Sequence, residues 1–146
     1  MKAFEFRLRR ALDLRKTQLE LEENTLRQLA GKLEELALAA VKLDLVKERA
    51  EVAVRQAAVV EAADLWALSA YRQRIMAELR ELALRREAAE RQVAGQRQKV
   101  LEAQRRVRLL EKLEQRRHTE WSREADREME SLAAESFLTM WNRRDN

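Results

Sequence analysis

The sequence predicts an all-α protein, an antiparallel two-helix coiled coil (a long α-hairpin) whose C-terminal helix is longer and overhangs. Three observations support this fold. Turn-forming residues are scarce, because the 146 residues include no proline and only two glycines. Ala, Leu, Glu, Arg, Lys and Gln dominate, as they do in long helices. Apolar residues also recur at steps of three and four, the heptad pattern of helices that pack side by side.

The first predicted helix spans about residues 3–61 and carries one apolar stripe. Its members are Leu12, Leu19, Leu26, Leu29, Leu33, Leu36, Ala40, Leu43, Ala50, Val54 and Ala57. Lys47 occupies one stripe position, where its aliphatic stem can pack while its ammonium group reaches water. A single amphipathic helix of this kind needs a partner to cover its stripe, because helices gain most of their stability from such packing.

The turn is predicted at about residues 62–66, within the segment 58–71, where charges thin out and the stripe loses its phase. Asp64 is the expected cap of the second helix, since its carboxylate can accept backbone N–H bonds there. Ser69 is the alternative cap. A turn centred near residue 64 places residue i opposite roughly residue 129 − i. Gly31 and Gly95 then lie near each other, either as a close approach of the two backbones or by coincidence.

The second predicted helix spans about residues 67–142, and the whole chain, 1–146, forms one coiled-coil domain. Its stripe consists of Ile75, Leu79, Leu82, Arg86, Ala89, Val93, Gln96, Val100, Ala103, Val107 and Leu110. Beyond about residue 126 the helix has no intramolecular cover. Because this part still carries large apolar side chains, we expect it to bind a partner or to fray.

The sequence offers little chemistry, and we predict no enzyme, no cofactor and no metal site. The chain has no cysteine, which excludes disulfides and thiolate ligands. His118 is the single histidine and is predicted to be a solvated helix residue. No apolar stretch approaches the roughly 20 residues of a membrane span, and charges interrupt the N-terminal segment as they do not in a secretory signal. A cytoplasmic location is expected.

Two regions of the sequence carry a family resemblance. The first is Phe4-x-Phe6-x-Leu8 followed by Leu12-Asp13-Leu14-Arg15-Lys16; the second is Tyr71-x-x-x-Ile75-x-x-x-Leu79, followed by a charged helix that reaches Leu109-Leu110-Glu111-Lys112-Leu113-Glu114-Gln115-Arg116-Arg117. The order and spacing of these stretches over nearly the whole chain are similar to those of the flagellar export protein FliJ family.

The resemblance implies a non-enzymatic stalk of the bacterial flagellar type III export apparatus, held peripherally at the inner membrane. Such a stalk couples a hexameric export ATPase to the export gate membrane protein, and escort of substrate chaperones is a further family role. Stalk proteins of virulence-type secretion systems have the same design. The resemblance implies neither nucleic-acid binding nor direct membrane insertion.

The resemblance also implies two sets of contact residues. The ATPase ring would meet Arg7, Arg9, Arg10, Arg116, Arg117, Phe137, Met140 and Trp141. The export gate would meet Tyr71, Ile75 and Leu79 near the turn, with Trp66 and Leu68 added because we expect them to be exposed. Ile75 and Leu79 also belong to the apolar stripe, so inward packing is the alternative for both. Arg74 stands where the family often has a second aromatic residue.

Two other classes of function remain open from the sequence. A generic coiled-coil scaffold or oligomerisation protein needs only the heptad stripes. A basic binder of nucleic acid or of a membrane surface could use the positively charged stretches 1–16 and 97–117, which hold more Arg and Lys than Asp and Glu.

Overall fold

The computed structural model describes residues 1–144 and contains two long α-helices that pack against each other. Helix α1 spans Arg9–Gln56 and helix α2 spans Ala62–Arg144, with 48 and 83 residues. No strand occurs within the described residues. The prediction of an all-α helical hairpin with a longer C-terminal helix is therefore confirmed.

The helix boundaries differ from the predicted ones. Residues 1–8 precede α1, which begins at Arg9 rather than near residue 3, and the turn occupies 57–61 rather than 62–66. Val59 and Val60 lie in this turn, and β-branched side chains lose rotamer freedom in a helix. Because this segment contains no Gly or Pro, the sequence alone could not locate the turn more closely.

Asp64 caps α2 as predicted, but from inside the helix rather than ahead of it. Its Oδ2 accepts a hydrogen bond from the backbone N–H of Glu61 at 3.1 Å. The Glu61 carbonyl accepts the N–H groups of Asp64 and Leu65 at 3.1 and 3.3 Å. This is the acidic half of a capping box, in which the third helical residue binds the N-cap backbone. Ser69 lies within α2 and is not a cap.

The chain divides into two compact units, each built from parts of both helices. The first unit contains Met1–Glu20 and the chain from Glu102 onwards. Leu12 is completely buried there, and Ala103 and Val107 are buried on α2. The Arg9 guanidinium binds the Glu114 carboxylate across the two helices at 2.8 Å.

The second unit contains Leu21–Leu101, and its core includes Ile75, Val93 and Val100. Gln96 is also buried, and its amide donates to the backbone carbonyl of Glu22 at 3.0 Å and to the Glu22 carboxylate. The buried amide is thereby paired, as buried polar groups generally are.

Both predicted stripes face the partner helix. Every α1 stripe residue from Leu12 to Val54 is buried or half-buried, and Ala57 is exposed in the turn. On α2 each stripe residue is buried or half-buried except Arg86, which is exposed and pairs with Glu90. The heptad pattern thus identified the packed faces, with Ala57 and Arg86 as the two exceptions.

The register between the helices is shifted from the predicted one. The residue numbers of the pair Arg9–Glu114 in the first unit add up to 123, and so do those of Glu51–Arg72 in the second. The residue numbers of Lys16–Glu111 add up to 127 and those of Glu22–Gln96 to 118, so on average residue i lies opposite roughly residue 123 − i rather than 129 − i. Because the turn lies closer to the N-terminus than predicted, the residue numbers that face each other add up to a smaller sum, as observed.

Gly31 and Gly95 are not sites of close backbone approach. Both lie inside helices, and a Cβ atom added at either position would meet nothing within 4 Å.

We therefore expect Gly31→Ala and Gly95→Ala each to raise the free energy of unfolding by roughly 0.5–1 kcal/mol, because glycine loses more backbone entropy in a helix than alanine. Urea denaturation measures the gain. Ala30→Gly, at an exposed α1 position, is the matched control and should lose a similar amount; a loss in either alanine variant would contradict the prediction.

Candidate interaction surfaces

The C-terminal part of α2 presents an uncovered apolar surface, which we call the tail surface: Phe137, Leu138, Met140 and Trp141. Every residue from 126 to 144 is exposed, with the Phe137 side chain 64% and Trp141 56% accessible. The two rings lie one helical turn apart with centroids separated by 6.2 Å, so they form one continuous surface. The structure keeps this segment helical through Arg144.

The N-terminal segment covers α2 up to Trp121. The indole Nε1–H of Trp121 donates to the backbone carbonyl of Lys2 at 3.1 Å. The Phe4 ring lies edge-on to His118 at 5.0 Å and tilted to Trp121 at 6.0 Å. His118 is exposed, as predicted, but its contact with Phe4 was not foreseen, because a single histidine in a charged stretch gives no packing signal.

The basic residues expected at an ATPase ring all lie in the first unit and are exposed. Arg9 is engaged by Asp13 at 3.7 Å and by Glu114 at 2.8 Å, and Arg117 by Glu120 at 3.3 Å. No ion pair is formed within residues 1–144 by Arg7, Arg10 or Arg116. These three guanidinium groups retain their full bonding capacity for a partner.

The turn carries a second apolar surface, which we call the turn surface: Val59, Leu65, Trp66, Leu68 and Tyr71. The Trp66 side chain is 79% accessible and Val59 75%, the highest values among the large apolar residues described. Beside them lies an open groove of about 520 Å³. Its lining residues are Ala50, Ala53, Val54, Ala57, Val60, Asp64, Ala67, Leu68 and Tyr71.

The residues predicted to contact an export gate divide into two groups. Trp66 and Tyr71 are exposed, and Leu68 is half-buried at the edge of the groove. Ile75 is buried at 3% accessibility, so its prediction as a surface contact is wrong: its stripe position turns it towards α1. Leu79 is half-buried for the same reason. Sequence reasoning missed the exposed Val59 and Leu65 and the alanine-lined groove, because both depend on where the turn falls.

An ion pair joins the two helices close to the turn surface. The Nε of Arg72 donates to the Glu51 carboxylate at 2.8 Å, and this bond holds the pKa of Glu51 below its ordinary value. We expect Arg72→Gln to raise that pKa, which carboxyl NMR titration measures directly.

The pKa shift also fixes the sign of a pH effect on stability. A carboxyl group with a lowered pKa stabilises the fold above its unfolded pKa, and that stabilisation is lost as the pH falls through its folded pKa. The stability difference between the wild type and Arg72→Gln should therefore shrink in acid. Arg74→Gln, which removes the partner of Glu78 within α2, is the control for loss of one arginine; an unchanged Glu51 titration in Arg72→Gln would contradict the assignment.

Within residues 1–144 no helix is long and apolar enough to cross a membrane, and no group of three or more His, Asp or Glu residues is placed to hold a metal ion. No protein-family model, curated protein or solved structure matches the chain. The tail surface, the turn surface and the exposed charges near them are the candidate sites, on the grounds of their exposure.

Proposed function

We propose that the chain is a non-enzymatic stalk component of a bacterial flagellar type III export apparatus. One observation supports it best: each compact unit of the hairpin exposes an aromatic surface that the chain itself does not cover, one in the tail and one at the turn. Exposed apolar clusters of this kind are typical of protein-binding sites. The resemblance in the order and spacing of the sequence stretches supports the choice of apparatus.

In this proposal the tail surface and the free guanidinium groups of Arg7, Arg10 and Arg116 bind a hexameric export ATPase. Aromatic side chains supply the buried anchors of such an interface, and the arginines pair with carboxylates on the ring. Trp66 and Tyr71 in the turn surface bind the membrane protein of the export gate. Substrate chaperones are further partners, and the protein associates with the inner membrane through the apparatus.

Binding to the purified hexameric export ATPase tests the proposal directly. The expected results are a stable complex in size-exclusion chromatography and a faster rate of ATP hydrolysis when the intact chain is added. A hexameric ATPase of unrelated function serves as the control. If the chain neither binds the export ATPase nor changes its rate of hydrolysis, the stalk proposal fails.

A second candidate is a self-associating coiled-coil scaffold, and a second apolar stripe on α1 favours it. Leu38, Val41, Leu45 and Val52 lie at steps of three, four and seven residues, away from the buried stripe, and are between 44% and 55% accessible. This spacing places them on one helical face, as in a heptad seam.

The charges beside this second stripe fit a parallel copy of the same helix. Lys42 and Arg49 lie along one edge, and Asp44 and Glu48 along the other. A two-fold axis parallel to α1 brings the basic edge of one copy against the acidic edge of the other. Sedimentation equilibrium should then show a dimer that Leu45→Gln dissociates and that Leu84→Gln, at an exposed α2 position, leaves intact; a monomer at every concentration excludes the scaffold.

A further inference from the structure

The α2 helix of the first unit carries a straight line of cations, which we call the basic column: Arg105, Arg108, Lys112, Arg116 and Arg123. Successive members are separated by three, four, four and seven residues, so they share one face of the helix. All five are exposed. At 1.5 Å per residue the column is about 27 Å long.

The basic column differs from four paired arginines of the same helix in having no acidic partners. In the second unit each of the α2 residues Arg74, Arg85, Arg86 and Arg91 pairs with a glutamate one helical turn away, at 2.6–3.5 Å. No member of the column forms an ion pair within residues 1–144. Its positive charge is therefore left for an external anion.

The column faces away from α1. The buried stripe of this stretch, Ala103, Val107 and Leu110, occupies the opposite side of α2. Three members of the column line one shallow surface cavity of about 350 Å³, so they lie on the same face of α2. The cavity is lined by Lys112, Gln115, Arg116, Thr119, Glu120 and Arg123. Leu109, with 68% of its side chain accessible, lies beside the column and adds an apolar group to this face.

The distribution of charge around the column indicates the shape of the anion. The cations occupy the crest of the helix; Glu102 and Glu120 lie along one flank together with Arg106 and Arg117, and the uncharged Gln115 lies along the other. The exposed Leu109 beside the column has no apolar partner among the phosphates of duplex nucleic acid, whereas the interface of a bilayer accepts an apolar side chain. A flat anionic surface meets the crest alone and stays clear of the flanks.

We propose that the basic column binds the headgroups of an anionic lipid bilayer, with α2 of the first unit lying on the membrane surface. Clusters of four to eight Lys and Arg residues on a helix are characteristic of such binding. Leu109 enters the interface between headgroups and acyl chains. The contact is peripheral and requires no membrane-spanning segment. It shares Arg116 with the proposed ATPase contact but does not rest on the export-stalk proposal.

Vesicle co-sedimentation of the full chain tests this assignment. The vesicles contain phosphatidylglycerol and phosphatidylcholine in equal amounts, or phosphatidylcholine alone, at salt concentrations of about 50 and about 200 mM. The test variant is Arg105→Gln/Arg108→Gln/Lys112→Gln, which leaves Arg116 and Arg117 in place for any ATPase contact. The control, Arg85→Gln/Arg86→Gln/Arg91→Gln, changes the net charge equally on the same helix.

We expect the wild type and the control variant to bind the anionic vesicles and not the neutral ones, with weaker binding at the higher salt concentration. The test variant should bind on the order of 100-fold more weakly. Equal loss in both variants, equal binding to neutral vesicles, or no vesicle binding at all overturns the proposal. Tighter binding to duplex DNA or to polyglutamate than to the vesicles also overturns it. If the test variant loses vesicle binding but still binds the export ATPase, the membrane contact and the ATPase contact use different residues, and each proposal can fail without the other.

Discussion

Leu12→Ala is expected to lower the free energy of unfolding of the first unit by about 2–5 kcal/mol. Leu12 is the one large side chain in the described residues that is completely buried, so its truncation leaves a cavity between α1 and α2. The loss combines the transfer free energy of the missing carbons with contacts that the surrounding side chains cannot recover. Hydrogen exchange of the amides around Leu12 and around Val107, combined with urea denaturation, measures it.

Leu14→Ala provides the matched control, two residues further along the same helix. The Leu14 side chain is 58% accessible, so its truncation should change stability by no more than about 0.5 kcal/mol. If both variants lose the same amount, Leu12 is not the centre of packing that the structure shows. If only the exchange near Leu12 accelerates, the first unit opens separately from the second.

Under the stalk proposal, Phe137→Ala/Trp141→Ala is expected to weaken binding to the export ATPase by at least about 100-fold. Buried aromatic residues dominate most protein interfaces, and these two form the centre of the tail surface. Both side chains are exposed in the free chain, so the variant should keep its helical circular dichroism and its resistance to urea. Isothermal titration calorimetry with the hexameric ATPase measures the affinity.

The control for the tail variant is Met129→Ala/Leu132→Ala, which removes two exposed apolar side chains from the same helix. This variant should bind the ATPase with an affinity within a few-fold of the wild type. An equal loss in both variants would indicate that general apolar character, rather than the aromatic pair, carries the contact. Unchanged binding in the Phe137 and Trp141 variant would remove the tail surface from the proposal.

The sequence predicted the packed faces well because heptad periodicity is a property of each helix alone. Leu12, Val93 and Val100 lie in the core where their spacing placed them. The same periodicity explains the error at Ile75: the family resemblance implied a surface contact, whereas its stripe position buries it. Where a resemblance and a periodic pattern disagreed about one residue, the periodic pattern gave the correct location.

The turn and everything that depends on it were harder to predict. No glycine or proline marks the bend, and Asp64 acts from the third position of α2, so its presence located the cap only to within a few residues. The register and the alanine-lined groove depend on that position. The basic column was visible only as a charged stretch, because its lack of partners becomes evident when the ion pairs of the neighbouring arginines are known.

The position of the turn also sets how much chain each contact between the helices closes. The Glu51–Arg72 contact closes a loop of 21 residues, whereas the Trp121–Lys2 hydrogen bond joins residues 119 apart. The longer closure costs about 1.5 kcal/mol more chain entropy. Contacts beside the turn therefore cost the least chain entropy to form, and the contacts of the N-terminal segment cost the most. During synthesis, the part of the α1 stripe around Leu12 has no partner until the α2 residues of the same unit, from Glu102 onwards, have been made.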